Sequence, residues 1–134
     1  MALQNGLLVP VIRDANNKGL EQIANQLSCH VKAAKENRIE SSKLKGGTFT
    51  ITNLGMYGID SFTPIINQPE TGSLGVGRII DRPVFIDDAL EKRSFISFSL
   101  PFDHRALDGA EAAQFLQGLD DKLQQPANVH LSIG

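Results

Sequence analysis

Seven consecutive residues, Asp103-His104-Arg105-Ala106-Leu107-Asp108-Gly109, hold the side chains best suited to moving a proton. Imidazole is the side chain whose ordinary pKa lies closest to neutrality. His104 follows an apolar run from Phe95 to Phe102 and stands four residues before Asp108, where a helical pattern opens. A strand end feeding a helix start is a place where rigid elements present a group to a ligand. Plainer readings exist for each residue. Asp103 and Arg105 suit a surface ion pair of small energetic worth. Asp108 suits a helix N-cap, with Glu111 three residues on as in a capping box. His104 suits a satisfied interfacial histidine. Spacing alone favours these plainer readings, because short motifs match by chance.

The elements that must position these residues follow from periodicity. Ser94 to Phe102 sets Phe95, Ile96, Phe98 and Leu100 among serines and reads as the strand that delivers His104. Ala112, Ala113, Leu116, Leu119 and Leu123 recur at helical spacing, and Pro126 stops that helix. Thr48 to Asn53 sets Phe49 and Ile51 against Thr48, Thr50 and Thr52, as in a half-buried strand. On propensity, Thr52 is there as a strand former. The segment Gly72-Ser73-Leu74-Gly75-Val76-Gly77 lacks the spacing of dinucleotide or Walker loops, so Leu74 to Ile80 reads as a glycine-containing strand. Val84 to Ile86 reads as a short strand and Asp87 to Lys92 as a hairpin-like connection.

Upstream, Leu7 to Arg13 is apolar but contains Pro10, which places it at a sheet edge or starts the strand at the proline. Asn16 or Asn17 can cap the helix that follows, where Leu20, Ile23, Ala24, Leu27, Val31 and Ala34 form one apolar face. Lys32, Lys35 and Arg38 lie near its end, where cations favour the helix dipole. Cys29 and His30 fall within it and read as structural, since a zinc site needs four ligands. Ile39 to Lys45 is a polar connector and Met56 to Pro69 a loop-rich stretch. Val129 to Ile133, with His130, suggests a last strand.

Composition bounds the function. The 134 residues are 41% apolar and 21% charged, with a net charge of −2. That describes one globular domain and gives no electrostatic footprint for nucleic acid. A single cysteine, Cys29, excludes an internal disulfide. No apolar run has the length of a membrane span, and the N-terminus lacks the pattern of a secretory signal. The expectation is a soluble intracellular protein, cytoplasmic or, in a eukaryote, in the mitochondrial matrix.

The heptapeptide resembles the Asp-His-Arg-x-x-Asp-Gly signature of the dihydrolipoamide acyltransferases, the core subunits of the 2-oxo acid dehydrogenase complexes. The similarity continues in order through Gly6 to Arg13, Gly46 to Gly55, Phe62 to Pro69 and Leu74 to Gly77. The family's chloramphenicol-acetyltransferase-like fold implies an α/β two-layer sandwich, a mixed β-sheet with packed helices. Residues 1–134 correspond to the C-terminal half of the catalytic domain. The lipoyl and peripheral-subunit-binding domains would lie upstream.

The resemblance also implies a reaction: acyl transfer between dihydrolipoamide and coenzyme A. His104 would be the base. Thr52, where the family usually has serine, would donate a hydrogen bond to the oxyanion, with its β-branch restricting the hydroxyl. Asp108 would have an orienting role, holding the local loop and Arg105 or helping to position the site. Lys32, Lys35 and Arg38 have a second possible role against coenzyme A phosphates. Coenzyme A enters as cosubstrate, the lipoyl group arrives on another domain, and no metal is needed. The implied partners are two further copies in a trimer, with the histidine of one copy facing the hydroxyl of the next. A cubic or icosahedral core and the other subunits of the complex follow from that, with no nucleic acid or membrane. The alternative is a non-catalytic assembly or complementing half-domain that needs a separate N-terminal half.

Overall fold

The computed structural model describes residues 2–3 and 6–126, which divide into two compact units. One holds the described residues up to Gly47 and those from Gly118 on; the other is Thr48–Gln117.

In the first unit a short antiparallel pair joins β1 (Ala2–Leu3) to β2 (Gly6–Leu7). The strand expected over Leu7 to Arg13 stops at Leu7. Pro10 lacks a donor, and beyond it the Val11 N–H donates to the Lys43 carbonyl at 2.8 Å. Arg13 Nη2 donates to the carbonyls of Ser42 at 3.2 Å and Lys45 at 3.0 Å, pinning the connector, which winds into a 3-10 turn over Ser41–Leu44. Helix α1 covers Leu20–Lys35, as its periodicity predicts. Its cap is Gly19 rather than either asparagine. Ala15–Asn17 form a separate 3-10 turn, and the Gly19 N–H donates to Gln22 Oε1 at 3.1 Å.

The second unit carries a three-stranded mixed sheet in the order β3 (Thr50–Asn53), β4 (Ser73–Ile86), β5 (Ala89–Ser99). β3 runs parallel to β4 with Thr52 opposite Gly75; β4 runs antiparallel to β5 with Gly75 opposite Ser99. β4 is one strand where the sequence suggests two. Asp87 and Asp88, both at positive φ, turn the chain in two residues, and Ala89 to Lys92 belongs to β5. Such two-residue turns match the twist of a hairpin. Past Val76 the β4–β5 ribbon extends beyond β3, and the register slips between Val76 and Ile79.

Side chains on β3 face opposite to expectation. Thr50 and Thr52 are half-buried, while Ile51 is 67% exposed. The segment from Ile59 to Glu70 covers the threonine face. Ser99 Oγ donates to the Phe62 carbonyl, and the ring of Pro64 packs where a Cβ on Gly75 would stand, 2.9 Å from Cδ. Gly77 has no side chain because the Asp60 carbonyl occupies that place, and the Arg78 N–H donates to the Ile59 carbonyl at 2.8 Å. On the other face the start of helix α2 (Gly109–Gln124) packs through Phe115, whose ring lies 5.7 Å from that of Phe49. Ala112 is buried there.

Ala34, Leu74 and Ala112 are buried, as is the ring of Pro64. Ile65 and Phe85 are 94% and 78% exposed. The strand expected over Val129 to Ile133, with His130, lies outside the described residues.

Candidate active site

His104 is presented by an extension of β5. Beyond Ser99 the chain keeps its register against the residues leading into β4. The Ser73 N–H donates to the Pro101 carbonyl at 3.2 Å, Phe102 bridges Gly72, and the Asp103 N–H donates to the Thr71 carbonyl at 2.8 Å. The next residue is His104, exposed, with its ring 4.9 Å from that of Phe102 at 58°. Phe102 is thus the platform under the imidazole, a contact that the sequence pattern does not single out.

Asp103 closes the turn around His104. Its carboxylate accepts from the Arg105 backbone N–H at 2.9 Å, from Arg105 Nε at 2.9 Å and from Nη2 at 2.6 Å. Its carbonyl accepts the N–H groups of Ala106 and Leu107. The surface ion pair read from the sequence is therefore present, and it is also a local clasp. The Arg105 guanidinium first, and then its backbone N–H, hold the Asp103 carboxyl at about 2, below its ordinary 3.8.

A carboxyl depressed in the folded turn favours that turn above its ordinary pKa and loses the advantage as pH falls through the depressed value. The clasp should be complete above about pH 4 and should open between about pH 4 and 2. Following the Asp103 carboxyl carbon and the Arg105 amide by NMR from pH 6 to 1.5 should give a shared midpoint near 2. A midpoint at the ordinary carboxylate value would show the clasp absent in solution.

Asp108 stands just before α2. Its carbonyl accepts the Ala112 N–H at 3.1 Å, and its own N–H donates to Glu111 Oε2 at 3.1 Å, the reciprocal half of a capping box. The resemblance implies that it holds Arg105, but it does not: Asp103, two residues from Arg105, takes the guanidinium in bidentate fashion. Among the described residues the Asp108 carboxylate accepts no hydrogen bond.

Thr52 lies elsewhere in the unit. It pairs with Gly75, and its hydroxyl makes no hydrogen bond among the described residues. Strand register places Asp103 opposite Thr71, four residues along β4's direction from Gly75, which is about 13 Å at the usual rise per residue. β3 and the extension of β5 also flank β4 on opposite sides, adding about 10 Å across two strand spacings. By alternation Thr52 points to the face covered by Pro64, and Phe102, the platform of His104, to the face of Phe49 and α2. One copy of the chain does not bring Thr52 and His104 together.

The sequence reading missed a buried polar cluster between them. The Thr50 hydroxyl donates to Glu70 Oε2 at 2.6 Å, and the Ser73 hydroxyl donates to the Thr50 carbonyl at 3.2 Å. Glu70 and Ser73 are 8% and 0% exposed. Nothing in the pattern Glu70-Thr71-Gly72-Ser73 sets it apart from a turn. Cys29 is exposed on α1, and among the described residues no group of three or more His, Cys, Asp or Glu side chains could hold a metal ion. None of the described helices is long and apolar enough to cross a membrane.

The sequence profile of the 2-oxoacid dehydrogenases acyltransferase (catalytic domain) family matches residues 1–131. The chain is 48% identical over 127 residues to the dihydrolipoyllysine-residue acetyltransferase component of the acetoin cleaving system of Bacillus subtilis, covering 95% of this chain and 32% of that protein. Its fold is similar to that of the Azotobacter vinelandii dihydrolipoamide acetyltransferase, at a TM-score of 0.88 and 38% identity, covering 94% of this chain and 52% of that one. That structure concerns a serine, a histidine and an asparagine in the catalytic mechanism. The cubic core of a pyruvate dehydrogenase multienzyme complex is similar too, at a TM-score of 0.88 and 37% identity over 94% of this chain and 52% of that one. The chain thus spans about half the length of the solved chains and a third of the curated relative. With the α/β mixed sheet in place and residues 1–131 matched by the profile, the chain belongs to the 2-oxoacid dehydrogenase acyltransferase family, within its catalytic domain.

Proposed function

We propose that the chain forms part of an acyltransferase that moves an acyl group between dihydrolipoamide and coenzyme A in the core of a 2-oxo acid dehydrogenase complex. One observation carries this reading. In the Azotobacter protein the histidine follows the serine by 52 positions and precedes the asparagine by four. Here His104 follows Thr52 by 52 positions and precedes Asp108 by four. The chemistry then assigns the roles. The neutral ring of His104 takes the proton of the coenzyme A thiol as the sulfur attacks the thioester carbonyl of S-acyl dihydrolipoamide. A carbon–sulfur bond forms and the carbonyl becomes an oxyanion, to which Thr52 donates. As the tetrahedral species collapses, the bond to the dihydrolipoamide sulfur breaks and the His104 proton goes to that sulfur. Asp108 fixes the start of α2 beside the turn. Neither a metal nor a redox cofactor has a step here.

The separation of Thr52 from His104 supports a shared site, with each residue supplied by a different copy around a three-fold axis. The similarity to a cubic core supports assembly of such trimers into a larger shell. Lipoyl domains and the other dehydrogenase subunits are then the partners. A second reading is favoured by the exposure of Ile51, Ile65, Ile79 and Phe85. In it the chain supplies one half of the catalytic domain, and a separate N-terminal half covers these apolar side chains.

The test is acyl exchange from acetyl-, succinyl- and isobutyryl-coenzyme A to free dihydrolipoamide, with the assembly state measured on the same sample. The 48% identity to an acetyltransferase component makes acetyl the expected preference. No exchange from an assembled trimer would overturn the catalytic reading, and exchange appearing only with an added N-terminal half would establish the second one.

A further inference from the structure

We propose that Glu70 is a positioning residue that holds the His104 turn and the Thr52 strand in a fixed relation, acting through the hydroxyl of Thr50. The inference rests on the acyl-transfer reading and adds to it a residue outside the Thr52, His104 and Asp108 set. Glu70 is a carboxylate 8% exposed, with no Lys, Arg or His ion pair among the described residues. Burying such a group without a cation is costly. Its partner is the Thr50 hydroxyl, which donates to Oε2 at 2.6 Å, a short O–H···O bond. A polar contact kept under these conditions specifies a geometry that an apolar pair would leave loose.

The geometry it specifies bears on the site from two sides. Thr50 is the first residue of β3, two positions before Thr52 and on the same face. Its carbonyl accepts the fully buried Ser73 hydroxyl, so Thr50 is fixed at its side chain to Glu70 and at its carbonyl to the first residue of β4. On its other side Glu70 is bonded directly to Thr71, whose carbonyl accepts the Asp103 N–H at 2.8 Å. Asp103 in turn clasps Arg105 around His104. The Glu70 N–H donates to the Asn67 carbonyl at 3.0 Å, which closes the tight turn before Thr71. A shift of Glu70 therefore moves the seat of Asp103 and the start of β3 together.

The experiment compares Glu70→Ala, Glu70→Gln, Thr50→Val and Thr50→Ser with the wild-type chain. Two quantities are read: kcat and KM for coenzyme A in acyl exchange, and hydrogen exchange of the Asp103 amide. His104→Ala runs beside them. Misplacing a reacting group by a fraction of its reach costs rate rather than binding, so Glu70→Ala and Thr50→Val should lower kcat about 10- to 100-fold with KM within about twofold. Asp103 amide exchange should quicken by roughly tenfold in the same two variants. Glu70→Gln and Thr50→Ser keep an acceptor and a donor in place and should stay within about threefold of wild type in both readouts.

Lowered thermal stability with kcat and Asp103 exchange unchanged would overturn the proposal and leave Glu70 a structural residue only. Glu70→Gln as impaired as Glu70→Ala would overturn the hydrogen-bond route. Should Glu70→Ala fail to fold, the Thr50 pair decides the question. Should the wild type show no exchange that depends on His104, the acyl-transfer reading fails, and the Asp103 amide still decides whether Glu70 seats the turn.

Discussion

His104→Ala will lower acyl exchange by about 10²- to 10⁴-fold, the range expected for the loss of a general base. The fall should appear in kcat, with KM for coenzyme A little changed, because in the proposed reaction the imidazole acts on the thiol proton and not on the rest of coenzyme A. The structure makes this substitution a clean one. The ring is exposed and rests on Phe102, and its removal opens no core cavity. The turn itself is held by Asp103, through Thr71 on one side and Arg105 on the other, without the imidazole. Thermal stability should therefore stay close to that of the wild type. Raising the pH should restore part of the lost rate, since a thiolate formed in solution needs no base. A variant that retains full activity would remove His104 from the reaction and, with it, the reason for the turn.

How far such a site can be read from sequence differs from element to element. Helices α1 and α2 were legible because a helix packed on one side must repeat apolar residues every three or four positions. The sequence pattern breaks the β4–β5 ribbon into pieces. Arg78, Asp81 and Arg82 on one strand and Glu91, Lys92 and Arg93 on the other are exposed, so no alternation of apolar and polar residues marks them as strands. For β3 the pattern gives the place of the strand and the wrong face. Its threonines face the covering segment through Pro64 and Glu70, while Ile51 is left open, and no single-strand pattern tells a satisfied polar face from a wet one.

The site divides in the same way. His104 and Asp108 stand in a motif at the junction of two elements, and Thr52 enters only through the family resemblance. The Asp103–Arg105 clasp lies within three residues and was legible as an ion pair. Glu70 and Thr50 are twenty positions apart and meet through a parallel strand pairing. Phe102 becomes a platform only once Gly72 fixes its register. Local chemistry could be read from spacing, whereas contacts made by register could not.

The second large effect concerns the two residues that one copy keeps apart. Thr52→Val removes the hydroxyl and keeps the shape, and it should cost about 10²- to 10³-fold in kcat, as expected for an oxyanion donor. Thr52→Ser should retain activity, since the hydroxyl remains and turns more freely. Neither result alone says which copy the donor serves. Mixing does.

If each site takes His104 from one copy and Thr52 from its neighbour, then His104→Ala and Thr52→Val chains are each inactive alone but complement one another. A mixed site is complete when its histidine comes from a Thr52→Val copy and its threonine from a His104→Ala copy. Random equal mixing around a closed ring gives that arrangement at about a quarter of the interfaces, so activity should recover to about a quarter of wild type. The two variants should be unfolded and refolded together, with trimers confirmed before the assay. Recovery near that fraction would place the reaction between copies, in keeping with the distance that the register of β3, β4 and the His104 turn sets between the two residues in one copy. Activity equal to the sum of the two residual rates would place Thr52 and His104 in one copy, and a rearrangement of the sheet would then be needed to bring them together.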